Sequence, residues 1–410
     1  MWIMKNNIAT TLNNIQTKYL TIYQFLACFC LFIIIFNKVF AFAHIDINIL
    51  RHLAKNLCYL FVALNLIVFI KEKNFLVIIL SLLFLIVGVL NKKYSLQTDV
   101  LQYSILVIAF SKLNFKFAIK TFLLTVGFLI VSIMFYSLLD LSNNQFFGLR
   151  DGVLRQAFGF RHSNFLGGMI FFFTMTLWTY TKDKLLNNML CIALLIAEYL
   201  FIEHYIDSRT AQVMCLLASL MIVGYIILKS KQFNLSSTLL PKTASILAVN
   251  FILIFAVVHI FVVYLYSPNS EFFVALDNLF SSRISLQNNA LQNFSISMFG
   301  DFAYARLVDT DPLFLNTVSS RSYNLLDSFY FYVLYRWGLM SLLVFLISTV
   351  LISWKALKHG QYKILIALIC FSIYAINENF YFMICYNIFI YMCFSDLSSG
   401  EKISCQKSQC

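Results

Sequence analysis

The stretch from Leu149 to Gly168 reads LRDGVLRQAFGFRHSNFLGG, and it interrupts a chain that is otherwise almost continuously apolar. It holds three arginines, one histidine and four glycines. Hydrocarbon accepts guanidinium groups and irregular backbone only where protein or a water-filled cavity surrounds them, so ionisable residues in such a stretch mark a functional site. The stretch therefore predicts an irregular segment that contributes to a site.

Local signals indicate where this segment departs from a helix. Asp151-Gly152 is a turn signal, and Gly159 can adopt the positive φ that other residues avoid. We expect Ser163 or Asn164 to cap a helix that begins at Phe165, which would point the N-terminal amides of that helix toward whatever the arginines hold. Together these features outline an anion site.

The composition indicates a polytopic membrane protein. Of the 410 residues, 61% are hydrophobic and 12% are charged, and the mean hydropathy is +0.81. Soluble domains carry about 25% charged residues. The polar residues before the first apolar run, and the length of that run, do not fit a cleavable signal peptide. The ten cysteines form no CxxC pair, which argues against a disulfide framework or a metal cluster, so we expect no metal and no cofactor.

The apolar runs predict an all-α fold of about twelve transmembrane helices. They lie near residues 20–42, 56–70, 75–90, 99–111, 121–140, 165–181, 189–206, 211–228, 245–266, 329–353, 362–377 and 380–395.

These spans form a single transmembrane domain over residues 19–395. Residues 1–18 are expected to be a cytoplasmic N-terminus and residues 396–410 a cytoplasmic tail. Within the domain, residues 141–164 form an outer, re-entrant-like segment. Residues 267–328 form one long extracellular loop between the ninth and tenth spans.

The basic residues predict the orientation. With a cytoplasmic N-terminus, the inner side carries seventeen lysines and no arginine, whereas the outer side carries four lysines and all nine arginines: Arg51, Arg150, Arg155, Arg161, Arg209, Arg283, Arg306, Arg321 and Arg336. The positive-inside rule makes the lysine-rich side cytoplasmic. The planar guanidinium group of arginine can bind phosphate through two hydrogen bonds. The confinement of arginine to the outer side therefore indicates that this side binds a phosphorylated substrate.

A single outer arginine has a simpler explanation, which is an interfacial anchor or an ion pair with an acid such as Asp207 or Asp277. We accept this explanation for Arg51, Arg306 and Arg321. For Arg150 and Arg155 we favour function, although a spacing of five residues lets their side chains converge only if the segment bends.

A second polar group, EHYIDSRTA at residues 203–211, follows the seventh span. Ser208 or Thr210 can cap the eighth helix, and Arg209 would then face the same side as the first two arginines. Asp207 could simply neutralise Arg209. Glu198 lies deeper in the seventh span, where a structural hydrogen bond is the expected role.

The long loop supplies a third feature. Its centre, residues 272–300, has apolar positions spaced for an amphipathic helix that would lie along the membrane surface as a lid. The loop ends at Asp327, at the mouth of the tenth span. The residues alone leave two roles open for Asp327, a helix N-cap and a functional carboxylate.

The order of these motifs resembles the Wzy-type polymerases of O-antigen, capsular and exopolysaccharide repeat units, which are related to the O-antigen ligases. The resemblance covers about residues 128–345. It rests on Arg-x4-Arg-x3-Gly-Phe-x-His-x-Asn-x2-Gly from Arg150 to Gly167, Ser-Arg-Thr from Ser208, Ser-Ser-Arg from Ser281, Phe299-Gly300, and Asp-Ser-x-Tyr-x7-Gly from Asp327 to Gly338.

The resemblance implies a metal-independent membrane glycosyltransferase on the outer face of the bacterial cytoplasmic membrane. It would join polyprenyl-pyrophosphate-linked oligosaccharides and displace polyprenyl pyrophosphate. The related ligases use three arginines and a loop histidine, and Asp327 occupies the position of that histidine. The implied site is catalytic Asp327, pyrophosphate-binding Arg150, Arg155, Arg209 and Arg283, and supporting Gly159, His162, Asn164, Ser208 and Tyr330, the last as an aromatic surface for a sugar ring.

Two alternatives remain open. A ligase that transfers finished polymer shares nearly all of these features and differs only in the loop histidine. A flippase of lipid-linked oligosaccharide would also need a basic cavity, but the absence of arginine from the inner loops argues against it. The expected partners are the lipid-linked oligosaccharide and the chain-length regulator and flippase of the same pathway, and no nucleic acid.

Overall fold

A computed structural model describes residues 2–43, 48–139, 146–150, 153–230, 242–280, 282–300 and 327–397. Within these ranges, the side chains of residues 2–20, 48–51, 146–154 and 242–245 are not described.

The described chain is mostly α-helical. The helices are α1 (Trp2–Ala41), α2 (Asn48–Lys71), α3 (Phe75–Ser95), α4 (Asp99–Ala109), α5 (Phe115–Leu139), α6 (Ser163–Tyr180), α7 (Leu185–Phe201), α8 (Arg209–Ser230), α9 (Lys242–Val249), α10 (Phe251–Tyr264), α11 (Glu271–Leu279), α12 (Arg283–Asn293), α13 (Phe329–Arg336), α14 (Leu339–Lys358) and α15 (Tyr362–Tyr374). Pro268, the proline within the described residues, lies between α10 and α11, as expected for a residue that breaks the helical hydrogen-bond ladder.

In the described part of the chain, seven helical stretches are long and apolar enough to cross a membrane: Thr21–Ala41, His52–Lys71, Phe75–Ser95, Phe115–Leu139, Leu185–Ile206, Arg209–Ser230 and Leu339–Lys358. Asp99–Ala109, Phe251–Tyr264 and Tyr362–Tyr374 are shorter apolar helices. The fold is therefore that of an all-α membrane protein with one small exception described below. The count of twelve spans and the external placement of the long loop stay predictions.

Two predicted spans are broken in the structure. The ninth, residues 245–266, is divided at Asn250 into α9 and α10. The tenth, residues 329–353, is divided at Trp337-Gly338 into α13 and α14. Hydropathy did not reveal either break, because Asn250 and the short sequence Arg336-Trp337-Gly338 interrupt each apolar run only briefly.

The twelfth predicted span, residues 380–395, is wrong as an α-helix. It contains two 3₁₀ helices, Asn379–Phe382 and Phe389–Met392, joined by turns. Nearly every side chain in this segment is buried in protein, and irregular backbone is tolerated at membrane depth in that setting. Asn387 accepts a hydrogen bond from the Phe389 amide at 3.2 Å, which stabilises a turn where a helix would otherwise continue.

The break between α13 and α14 exists because another segment packs into it. The amides of Leu339 and Met340 donate to the carbonyls of Ser297 and Met298, each at 3.0 Å. Gly300 and Gly338 meet at this junction, with φ values of +93° and +85°. A Cβ on Gly338 would lie 2.3 Å from the Gly300 nitrogen, so both the conformation and the space require glycine.

Replacing Gly338 with alanine is therefore expected to destabilise the protein by about 2–3 kcal/mol or more, since it combines a strained φ with a clash against backbone. The measurement is thermal unfolding of the purified protein. Gly224→Ala is the matched control, because a Cβ there meets nothing within 4 Å and alanine favours the helix. Equal stability of the two variants would contradict the packing described here.

The segment that was expected to be re-entrant contains a β-hairpin, which is the exception to the all-α prediction. β1 (Phe146–Arg150) pairs antiparallel with β2 (Val153–Gln156), in the register Leu149↔Leu154 and Arg150↔Val153. The turn predicted at residues 151 and 152 lies outside the described residues. The hairpin returns the chain toward α6 through Gly159, which has the expected positive φ of +84°.

Lysine and arginine side chains are distributed differently along α5 and α14. α5 begins just after Lys112 and ends before the hairpin that carries Arg155, and its 25 residues extend over about 37 Å. α14 begins at the Gly338 junction and ends with Lys355 and Lys358. Lys112 and Arg155 therefore lie at opposite ends of α5, and Lys355 and Lys358 lie at the end of α14 away from the Gly338 junction.

Candidate functional site

Five polar side chains from distant parts of the chain meet at one end of the bundle. Arg155 comes from β2, Asn164 from the first turn of α6 and Arg283 from the first residue of α12. Asp327 precedes α13 and Glu378 follows α15. We call these five residues the arginine cluster.

A continuous chain of polar contacts joins the two arginines. Arg155 Nη2 donates to Asn164 Oδ1 at 3.0 Å, and Asn164 Nδ2 donates to Glu378 Oε1 at 2.9 Å. Arg283 Nη2 reaches the same Glu378 oxygen at 3.2 Å and Asp327 Oδ2 at 3.1 Å. Arg283 also donates through Nη1 to the Asn377 carbonyl. Asn164 and Glu378 thus fix the separation of the two guanidinium groups.

The members of the cluster differ in their access to solvent. The side chain of Glu378 is 5% exposed and that of Arg283 is 15% exposed, whereas the Asp327 side chain is 47% exposed. Arg155 is 11% exposed. A ligand arriving from solvent would therefore meet Asp327 first, and Glu378 lies behind both arginines.

Burial sets the ionisation of Glu378. It raises the pKa of Glu378 to about 7, and the Arg283 guanidinium opposes this rise. Groups with such pKa values are typical of functional sites, although structural ion pairs share this property.

Charge balance revises the expectation of an open anion site. Arg155 Nε lies 3.8 Å from Asp207 Oδ2, so each of the two arginines already has a carboxylate nearby. When all are ionised, the carboxylates of Asp207, Asp327 and Glu378 outnumber the two guanidinium groups. An incoming polyanion that contacts Arg155 or Arg283 would compete with these carboxylates for the guanidinium groups.

The position of Asp207 depends on an unusual turn. The last turn of α7 continues as a π-helix, Ile202–Ile206, and Asp207 follows with a left-handed φ of +51°. Its amide donates to the Ile202 carbonyl at 2.7 Å. π-turns inside α-helices often occur at functional sites. The turn places the Asp207 carboxylate near Arg155, and a contact of Asp207 with Arg209 stays a prediction.

His162 has a structural role in this arrangement. It is the N-cap of α6, where its Nδ1 accepts a hydrogen bond from the Asn164 amide at 3.0 Å. The predicted cap at Ser163 or Asn164, and the predicted helix start at Phe165, are therefore wrong by one or two residues. Burial, together with Arg155 and Arg283, lowers the pKa of His162 to about 4, so the ring is neutral and can accept this bond.

Two other arginines, Arg150 and Arg209, were predicted to bind pyrophosphate. Arg150 is the last residue of β1, and its side chain lies outside the described residues. Arg209 is the first residue of α8, and its side chain is exposed. The role of both stays a prediction.

Two of the predicted supporting residues, Ser208 and Tyr330, are buried and pack against neighbouring helices. Ser208 is buried beside Gly167, where a Cβ would lie 3.0 Å from the serine Cβ. Tyr330 is fully buried and donates to the Ser372 carbonyl at 2.9 Å. The expectation that Tyr330 stacks on a sugar is wrong for this structure, because the ring faces α15 rather than solvent.

The alternative role for Asp327 is not observed. The N-cap of α13 is Ser328, and it makes no side-chain capping bond. The Asp327 carboxylate contacts Arg283 instead. Glu198, by contrast, has the expected structural role, since it accepts a hydrogen bond from Thr174 inside the bundle.

Sequence reasoning missed Glu378. A signal was present, because Asn377-Glu378-Asn379 is a short polar interruption between two long apolar runs, and an ionisable residue at such a point faces protein. We had treated the interruption as a plain connection between two spans.

The described residues contain no group of three or more His, Cys, Asp or Glu side chains placed to hold a metal ion. No model of a known protein family matches the chain, and the comparison with curated proteins found no match.

Proposed function

We propose that this protein is a repeat-unit polymerase, a membrane glycosyltransferase that joins polyprenyl-pyrophosphate-linked oligosaccharides. The observation that carries the proposal is the Arg155–Asn164–Glu378–Arg283 chain with the half-exposed Asp327 beside it. The resemblance of the motif order to Wzy-type polymerases supports the same conclusion. The positive-inside rule assigns the arginine end to the outer face, where such substrates are presented.

The reaction would proceed by displacement at the anomeric carbon of the growing chain. A hydroxyl oxygen of the acceptor sugar forms a bond to that carbon, while the bond from the carbon to the pyrophosphate oxygen breaks. The electron pair leaves with polyprenyl pyrophosphate, and the hydroxyl proton moves to the Asp327 carboxylate. Guanidinium donors held in fixed positions stabilise the charge that develops on the leaving group.

The charge balance of the site gives Asp327 a second part in this scheme. In this scheme pyrophosphate binds the guanidinium of Arg283, whose Nη2 contacts the carboxylates of Asp327 and Glu378. Asp327 is the half-exposed partner and Glu378 the buried one, so the anion displaces Asp327. Binding of the donor thereby releases Asp327 from Arg283, and Asp327 can then accept the proton of the acceptor hydroxyl. Glu378 is a positioning residue, because it holds Arg283 directly and Arg155 through Asn164.

A ligase that moves finished polymer to another acceptor would use the same leaving group and the same arginines. A specific difference is that the related ligases place a histidine where this chain has Asp327. A flippase would need a site open to both faces in turn, and the described arginine cluster lies at one end only. These differences favour a polymerase.

The test of the proposed function is the length distribution of cell-surface polysaccharide after deletion of the gene. A polymerase predicts single repeat units at the surface. Polymer retained on its lipid carrier would identify a ligase, and loss of all sugar from the outer leaflet would identify a flippase. Either of these outcomes contradicts the proposal.

The orientation can be tested separately. With both termini cytoplasmic, Ser270 before α11 is external and Ser236, outside the described residues, is cytoplasmic. Single cysteines at these positions, in a background without the native cysteines, are expected to react differently with an impermeant thiol reagent on intact cells. Reaction at Ser270→Cys alone fits the orientation, whereas reaction at Ser236→Cys alone reverses it.

Arg155→Lys is expected to reduce polymer synthesis by about tenfold to a hundredfold, because a point charge cannot reproduce the planar fork that spans Asn164 and the ligand. Arg161→Lys is the matched control, since Arg161 is an exposed arginine six residues along the same segment. Both proteins should insert at normal levels. Equal polymer from the two variants would place the pyrophosphate elsewhere.

A further inference from the structure

A cavity of about 430 Å³ lies at the lysine end of the bundle, opposite the arginine cluster. Three lysines line it: Lys112 from the connection before α5, and Lys355 and Lys358 from the last turn of α14. We call it the lysine cavity. Its volume falls within the range of about 300–1,000 Å³ that is usual for ligand pockets.

Protein contacts hold the lysines around the cavity. Lys112 Nζ lies 2.5 Å from Glu72 Oε2 and 5.1 Å from the centre of the Phe69 ring. Lys355 Nζ donates to the Ser395 carbonyl at 2.8 Å. Lys358 Nζ lies 5.2 Å from the centre of the Trp354 ring. A contact with a neighbouring residue therefore fixes the position of each ammonium group beside the cavity.

The lining of the lysine cavity combines cationic, polar and apolar side chains. It contains the three lysines, His359, one acid, Asp396, and apolar residues such as Phe69. A second acid, Glu72, is paired with Lys112. The side chains of Gln24, Asn74 and Asn114 add amide groups. The positive-inside rule accounts for lysines at this end of the bundle, but it does not require three of them to surround one cavity.

Exposed apolar side chains lie at the rim of the cavity, on the outer surface of the helix bundle. Trp354 is 51% exposed, and Phe75, next to the lining residue Asn74, is 67% exposed. Tryptophan is enriched at the boundary between hydrocarbon and headgroups. An occupant with a phosphate in the cavity and hydrocarbon against this rim fits both surfaces.

We propose that the lysine cavity binds the phosphate headgroup of an anionic phospholipid from the leaflet at this end of the protein, with its acyl chains beside Trp354 and Phe75. The proposal goes beyond the glycosyltransferase function and does not depend on it. Basic pockets between transmembrane helices recognise lipid headgroups in this way. A soluble phosphate shares the charge but lacks a part that would contact the apolar rim.

The test compares binding of phosphatidylglycerol and phosphatidylcholine to the purified protein by native mass spectrometry. We expect the unaltered protein to retain phosphatidylglycerol at least about tenfold more strongly. The variant Lys112→Gln/Lys355→Gln/Lys358→Gln should lose about a hundredfold in this affinity, since each lysine near a headgroup contributes about a fivefold factor. Equal retention of the two lipids by the unaltered protein would overturn the proposal.

Two controls make the result specific. Lys120→Gln/Lys182→Gln/Lys184→Gln removes three exposed lysines that do not line the cavity, and this variant should keep the preference. Lys358→Gln alone leaves the contacts of Lys112 and Lys355 intact, so it tests the site even if the triple variant does not fold. Unchanged phosphatidylglycerol affinity in Lys358→Gln would reject the site. Displacement of the lipid by low millimolar inorganic phosphate would assign the cavity to a soluble anion and reject the lipid.

Discussion

Asp327→Asn protein is expected to lose about a hundredfold or more of its turnover, while it binds inorganic pyrophosphate more tightly than the unaltered protein does. The loss follows because an amide cannot take the proton of the acceptor hydroxyl. The tighter binding follows because Asp327 Oδ2, at 3.1 Å from Arg283 Nη2, competes with the pyrophosphate for that guanidinium group. Opposite changes in the two quantities distinguish this account from a simple structural role.

The measurements are polymerisation of lipid-linked repeat units and pyrophosphate binding by calorimetry, both on purified protein. Asp327→Ser serves as a second variant, because serine and asparagine both cap helices well but neither is a base. Near-normal turnover in both variants would reject the base. Weaker pyrophosphate binding by Asp327→Asn would reject the displacement of Asp327 by the donor.

Glu378→Ala is expected to destabilise the protein by about 3 kcal/mol or more, because it removes a buried acceptor that Asn164 and Arg283 share. Glu378→Gln is the matched control. Its Oε1 can accept both hydrogen bonds, so the fold should persist. Thermal unfolding of both variants checks this, and equal stability of the alanine and glutamine proteins would show that the shared contact contributes little.

A comparison of the unaltered protein with Glu378→Gln gives a pH dependence. Burial raises the pKa of Glu378 from its ordinary 4.5 to about 7 in the folded protein. In that window the folded chain holds a proton that the unfolded chain releases, so the contribution of this group to stability falls as pH rises from 4.5 to about 7. The glutamine variant should lack this fall. A stability difference between the two proteins that stays constant across the window would contradict the raised pKa.

The sequence predicted the parts of the site that local motifs carry. Arg155, Asn164, Arg283 and Asp327 belonged to the site that the family resemblance implied, and the structure brings all four together. The helical membrane class followed from apolar runs, which report one element at a time. Neither local motifs nor apolar runs indicate which helices and strands lie close together in the folded protein, and this limits what the sequence can predict.

The errors have the same physical origin. Glu378 is paired with Arg283 across 95 positions of chain, a contact that no local pattern indicates. Residues 380–395 are apolar because protein surrounds them, and hydropathy cannot distinguish that from lipid. The β-hairpin was missed because Asp151-Gly152 was recognised as a turn signal, but no strands were predicted on either side of it.

The central claim is that this chain polymerises lipid-linked repeat units, and the most direct test uses purified protein in liposomes. The substrate is the polyprenyl-pyrophosphate-linked repeat unit extracted from cells in which the gene is deleted. The account predicts a ladder of products containing two, three and more repeats, with release of polyprenyl pyrophosphate, and no ladder from Asp327→Asn protein. The account is contradicted if folded, unaltered protein does not extend the repeat unit. It is also contradicted if the Asp327→Asn variant produces an equal ladder.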